Sequence, residues 1–232
     1  MCKLLPLNSH YIMRVGDNLT INSIKGTIYD LLGYFAPGLA ACIGGLLIFQ
    51  QANGTQDVFA AMRAVVKGLS VFEAFLVIVI SYVLGHAIAS ASSWLIEKKL
   101  VEHVKGLKDA VHVENILDST HYEVFCRKYA TAFQAPYGSR DIRRVICYVQ
   151  AKQPAVYETS MTFLAFYGMA RNLSLISGAL CIAEAVLIGR ICENLLILAL
   201  LAVLSLIFLY EYIRFRKYYL DTILSGFLIP TE

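Results

Sequence analysis

No compact catalytic signature is present in this sequence. It has no H-E-x-x-H, no G-x-S-x-G, no Walker loop and no glycine-rich dinucleotide fingerprint, which removes the usual residues of metalloprotease, serine-hydrolase, P-loop and dinucleotide chemistry. No arginine has a histidine four to seven positions after it, so the R-x(4–6)-H spacing of one class of helical ribonucleases is missing too. His10, His86, His103, His112 and His121 share no metal-ligand spacing on one helix face. The six cysteines (Cys2, Cys42, Cys126, Cys147, Cys181, Cys192) contain no C-x-x-C pair, which argues against a zinc or dithiol motif. Cys42 and Cys181 lie in apolar stretches and read as buried, reduced thiols. No cofactor is expected. The lead-in after Lys3 is interrupted by Pro6, Asn8, Ser9 and His10 and does not read as a signal peptide. Asn53-Gly54-Thr55 therefore reads as a chance sequon. There is no internal repeat and no low-complexity linker.

What is abundant is hydrocarbon. Hydrophobic residues make up 58% of the chain, and the mean hydropathy is +0.61, above an ordinary soluble domain. They pile into four stretches, Leu31–Phe49, Ala74–Ile96, Leu173–Gly189 and Leu195–Ile213. Each is about twenty residues, the length that crosses a roughly 30 Å hydrocarbon core as a helix. The expected fold is all-α, an integral membrane protein of four transmembrane helices, with spans two and three extended into a cytosolic helical layer. Its expected divisions are a cytosolic lead-in (1–26), spans one and two with an external hairpin (27–96), a cytosolic helical insertion (97–170), spans three and four (171–213) and a cytosolic C-terminal tail (214–232).

Charge placement sets the orientation. Lys98, Lys99, Lys105, Lys108, Arg127, Lys128, Arg140, Arg143, Arg144 and Lys152 follow span two, and Arg214, Arg216 and Lys217 follow span four. The other two connections carry only Arg63, Lys67 and Arg190. The positive-inside rule places both termini and the insertion in the cytoplasm.

Along the chain, Pro37-Gly38 predicts a kink in span one, tolerable where a neighbour satisfies the freed carbonyl. Val58, Phe59, Met62, Val65 and Val66 predict an amphipathic helix on the outer surface. Span two is expected to run on past the interface anchor Trp94 to about Lys108, with Glu97 among the polar faces. The insertion reads as helices over about Ser119–Gln134, entered at Asp118 with Glu123 as capping partner, and Ser139–Lys152. A long helix starts near Ala155 and runs into span three.

The polar residues inside these stretches are the functional leads. An ionisable group at membrane depth costs at least about 2.5 kcal/mol unless it faces a partner, a cavity or water. His86 and Glu184 read as a pore-lining or proton-coupled pair. The alternative is a mutually satisfied pair that fixes helix register. Glu73 and Glu211, near span ends, fit snorkelling better than conduction. Gly85, Ala89 and Ser93 form a small-x-x-x-small ladder, expected to serve oligomer contact. Glu158, Ser160, Arg171 and Asn172 read as a cytosolic network holding the insertion to the membrane; the alternative is an Arg171 that anchors span three at headgroup level, with Asn172 beside it by chance. Arg140, Arg143 and Arg144 form a basic patch. It reads as a lipid-facing or solvated face, with direct nucleic-acid binding as the other option.

The order of these features resembles the small membrane accessory proteins of type VI-B CRISPR systems and related bacterial membrane proteins. The resemblance rests on Tyr34-Phe35-Ala36-Pro37-Gly38 at the entry to span one, Ser81-Tyr82-Val83-Leu84-Gly85-His86 in span two, the helical insertion, and Tyr167 followed by Arg171-Asn172 before span three. It implies a homo-oligomeric membrane pore that aids antiviral defence through loss of envelope integrity, with membrane lipid and a cytosolic nucleoprotein effector as partners. Members carry an Arg-Asn-x(n)-His signature. Here Arg171-Asn172 is followed by no histidine through Cys181, so ribonuclease activity is not expected. Two other readings remain: a membrane-bound enzyme or proton-coupled transporter using His86 and Glu184, and a scaffold whose insertion recruits a cytosolic partner.

Overall fold

The computed structural model describes residues 30–52, 70–101, 103–104, 106–107, 113–138, 141–187 and 195–229. Among them the chain is all-helical, with no strand. A π-helical turn Leu31–Phe35 runs into the α-helix Ala36–Ala52, together α1. Helix α2 spans Val71–Ser92 and continues as a π-helical segment, Ser93–Val101. Three shorter helices follow: α3 (Val113–Ile116), α4 (Ser119–Phe133) and α5 (Ile142–Lys152). Two long helices complete the set, α6 (Pro154–Leu187) and α7 (Leu195–Leu228). Four helices are long and apolar enough to cross a membrane: α1, α2, α6 and α7. The predicted outer-surface helix near Val58–Val66 lies outside the described residues, as does Arg140.

Helices α6 and α7 have 34 residues each, about 51 Å at 1.5 Å per residue. That exceeds the roughly 30 Å hydrocarbon core, and the excess of both helices projects into a layer built with α3, α4 and α5. The sequence reading extended spans two and three into this layer. Span four extends as well. Residues 214–228 continue α7 rather than trailing as a separate tail, and they carry the core of the layer. Ile223, Leu224 and Phe227 are fully buried against Phe125, Tyr129, Val145 and Val149. Phe227 is the hub. Its ring centroid lies 5.5 Å from Phe125, 5.1 Å from Tyr148 and 6.2 Å from Phe133. Each fully buried large apolar side chain of this kind contributes about 1.5–3 kcal/mol.

Local chemistry closes the ends of these elements. Asp118 caps α4 by accepting from the His121 backbone N–H at 2.8 Å, and that bond holds its carboxyl below the ordinary value. Gln134 stops α4 in the left-handed region at φ 51°. Lys128 Nζ donates to the Ile229 carbonyl at 2.8 Å, placing a cation on the C-terminal carbonyls of α7. Burial, with the Asp141 charge beside it, pushes the Tyr137 phenol up to about 12.

At the membrane end, α1 and α2 cross backbone to backbone. A Cβ at Gly38 would collide with the Ser81 carbonyl, and one at Gly85 with the Tyr34 carbonyl. Ser81, Gly85, Ala89 and Ser92 are the buried face of α2. This corrects the expected oligomer contact. Gly85 and Ala89 are consumed in the crossing within one protomer, and Ser93 donates to Glu97 Oε2 at 3.0 Å.

Candidate functional site

The densest polar cluster sits where α1, α2 and α6 meet, at the layer end of the membrane helices. Its origin is a proline. Pro37 has no N–H to give the preceding π-helical turn, in which the Ala36 N–H reaches back five residues to the Leu31 carbonyl, so a carbonyl of that turn needs another donor; the one that takes it is at Gly33. Asn172 Nδ2 supplies it at 2.7 Å from buried α6. The Asn172 Oδ1 atom takes a hydrogen bond from Ser92 Oγ. Ser92 is fully buried, and its single proton serves either Asn172 or the Ala89 carbonyl, 3.0 Å away.

Arg171 extends the cluster outward. Its Nε donates to Ser92 Oγ at 3.0 Å and its Nη1 to Glu97 Oε1 at 2.6 Å. Nη2 reaches the Ala89 carbonyl at 3.4 Å. The Tyr167 hydroxyl also donates to Glu97 Oε1. The Arg171 and Glu97 side chains are only 11% and 23% exposed. Removing one member would leave an uncompensated buried charge, at about 3–5 kcal/mol. Tyr167 stacks on fully buried Tyr212 of α7 at 5.3 Å, and Arg216 donates to the Tyr212 hydroxyl at 2.7 Å. One connected set of side chains therefore ties all four membrane-length helices together.

The backbone of α2 makes this possible. From Ser93 to Val101 it winds as a π-helix, whose wider turns bond residue i to i+5. An α-helical reading of the sequence set Glu97 among the polar outer faces. In the structure Glu97 turns inward. A signal was available, because Gly85, Ala89, Ser93 and Glu97 step by four and continue one face. Such π-segments concentrate at functional sites, and both of those described here flank Asn172 and Arg171.

Arg171 and Asn172 meet in one cluster, and the acid in it is not Glu158. Glu158 lies 13 positions before Arg171 on the same helix, about 20 Å along the axis, and Glu97 is the acid that meets the guanidinium. Ser160 donates to the Tyr157 carbonyl at 2.6 Å and stays within its own helix. Sequence reasoning missed Ser92, Gly33 and Glu97 as members.

The three intramembrane acids and bases separate. His86 is exposed on the outer face of α2, stacked on Tyr34 at 3.9 Å and edge-on to Tyr82 at 4.7 Å. Glu184 is only 2% exposed. It lies one turn beyond Leu180, which packs on Gly44, and within the last turn of α6. With Ser92 opposite Asn172, equal steps along the antiparallel helices leave roughly 9 Å of rise between His86 and Glu184. The register does not bring them together as a pair. Glu73 is exposed at the end of its span rather than deep in it. It closes a capping box at the start of α2, where Glu73 Oε2 accepts from the Ser70 N–H at 2.7 Å and Ser70 Oγ accepts from the Glu73 N–H at 3.3 Å. Glu211 pairs with Arg214 at 3.2 Å. Arg143 and Arg144 lie exposed on α5, with Arg144 Nε 3.9 Å from Asp141.

No group of three or more His, Cys, Asp or Glu able to hold a metal occurs among the described residues. No family model, curated protein or solved structure matches the chain.

Proposed function

We propose that the chain is a non-enzymatic, homo-oligomeric membrane channel or pore-type effector. In this reading it perturbs a bacterial inner membrane during antiviral defence, with both termini cytoplasmic. The observation that carries the reading is the outward-facing stripe Tyr82, His86 and Ser90 on α2, all three exposed at steps of one helical turn. His86 lies about 12 Å of rise inside the level of Trp94. An ionisable ring at that depth, facing out of the bundle, is unfavourable against acyl chains and favourable against water or a second protomer. Assembly through this stripe leaves the Gly85 crossing intact and gives His86 a hydrated path. The link to defence rests on the resemblance of the Tyr34–Gly38, Ser81–His86 and Arg171-Asn172 stretches.

The test is conductance of the purified chain in a planar bilayer. Current is expected from the wild type, and His86→Leu should reduce it or abolish its pH response while helix content stays constant. A wild-type chain that passes no current at any potential, with or without a candidate cytosolic nucleoprotein, sinks the channel reading.

A further inference from the structure

Two hydrogen-bonded contacts fix the relative heights of the helices. Ser92 of α2 faces Asn172 of α6, and Ser174 of α6 exchanges two hydrogen bonds with Ser205 of α7, at 2.9 and 3.0 Å. Equal steps along these antiparallel helices bring position 99 of α2 level with position 214 of α7. By the same count Trp94 and Tyr210 agree within about one residue's rise.

The surface changes in the same order on both helices. Toward the far end, Val79 and Val83 of α2 and Leu200, Val203 and Leu206 of α7 are exposed and apolar. Next come Trp94, 54% exposed, and Tyr210, 65% exposed. One turn further are Lys98 and Lys99 on α2 and Arg214 on α7, with Lys217 one turn beyond Arg214, all exposed. Lys99 Nζ sits 5.7 Å from the Trp94 ring centroid, a stacking that the i to i+5 winding of the π-segment favours. Arg214 lies 5.6 Å over the Tyr218 ring.

We propose that this girdle is a binding surface for the headgroups of anionic phospholipids, with Trp94 and Tyr210 at the acyl boundary and Lys98, Lys99, Arg214 and Lys217 on the phosphates. Charge complementarity names the occupant. Among the described residues, Glu211, held by Arg214 at 3.2 Å, and Asp30, exposed at the mouth of α1, stand against these four cations. Glu97, which would neutralise the lysines, is turned inward to Arg171 and Tyr167. Two net positive charges remain, and two headgroups with one net negative charge each complete the balance. A choline headgroup brings its own cation and does not.

The chain has one tryptophan, and it stands in the girdle. The full-length protein is placed in mixed vesicles in which either phosphatidylglycerol or phosphatidylcholine carries brominated acyl chains, and quenching of Trp94 measures competition between the two lipids. Phosphatidylglycerol is expected to be preferred by about fivefold for each engaged lysine. The Lys98→Gln, Lys99→Gln double variant should bring the ratio near one while quenching by either lipid persists. Excess inorganic phosphate should leave the wild-type ratio unchanged. The proposal is overturned by a wild-type ratio near one, by a ratio that survives the double variant, by loss of the preference in free phosphate, or by a Trp94 that neither lipid quenches. The measurement reads lipid contact alone, so it remains decisive for a chain that passes no current.

Discussion

Replacing Asn172 with leucine isolates the contact between a proline-interrupted helix and its neighbour. Asn172→Leu removes the donor at 2.7 Å from the Gly33 carbonyl and the acceptor of the Ser92 hydroxyl. Gly33 is buried, and Pro37 offers no N–H to replace the lost donor. A buried group left unsatisfied costs about 1–3 kcal/mol, while hydrogen bonds between membrane helices average about 0.6 kcal/mol and reach about 1.7. The single change should therefore destabilise by about 2 kcal/mol across the two lost bonds. Pro37→Ala supplies a backbone N–H that reaches Gly33 when the turn rewinds from i→i+5 to i→i+4. In that background Asn172→Leu should cost about 1 kcal/mol less, because the carbonyl has an alternative donor. The assay is a double-mutant cycle on thermal unfolding in detergent, followed by Trp94 fluorescence. At about 2–4 °C per kcal/mol for a chain of this size, the coupling is measurable. A coupling energy of zero would show that Asn172 does not answer the proline, and the reasoning would fail.

Gly85→Ala places a methyl group against the Tyr34 carbonyl, which is fixed backbone, so α1 must shift at a cost of about 1–3 kcal/mol. The thermal midpoint should fall by the same amount at every protein concentration, because the contact lies within one protomer. An unchanged midpoint together with a lost oligomer mass would return this ladder to an interface between protomers. The Tyr137 phenol, raised by burial and by Asp141 to about 12, starts from about 10 when unfolded. The fold favours its neutral form, so this contribution is complete below pH 10 and is lost as pH rises from about 10 to 12. Alkaline unfolding followed by circular dichroism should show that slope, and Tyr137→Phe should flatten it; an identical slope in the variant would assign the loss to another group.

The membrane-length helices were legible because composition alone marks them: twenty apolar residues in a row admit few other arrangements. Asp118 as the entry to α4 was equally readable, since it acts on its own helix. The candidate site was half legible. Pro37 declares that a carbonyl will be orphaned, but the donor, Asn172, stands in a different span, and nothing local in sequence pairs the two. Glu97 was misplaced because it was grouped with its charged sequence neighbours Lys98 and Lys99, although steps of four from Gly85 through Ala89 and Ser93 lead to it. The extension of α7 carried a signal that the run of hydrocarbon obscured: Leu220, Ile223, Leu224 and Phe227 keep a helical period well beyond Ile213. The outward direction of His86 had no local signal, since it follows from which face of α2 the Gly85 crossing buries.

The layer core is completed by α7, and this imposes an order on biogenesis. Phe125, Tyr129, Val145 and Val149 leave the ribosome roughly 80–100 residues before Phe227, which at about 5–20 residues per second is an interval of about 4–20 s. Throughout it the apolar faces of α4 and α5 stand in water without the helix that covers them. Two further membrane helices must also be inserted before that cover arrives. The nascent chain thus carries an uncovered hydrophobic hairpin for that interval, and the layer closes only after the last membrane-length helix is in place.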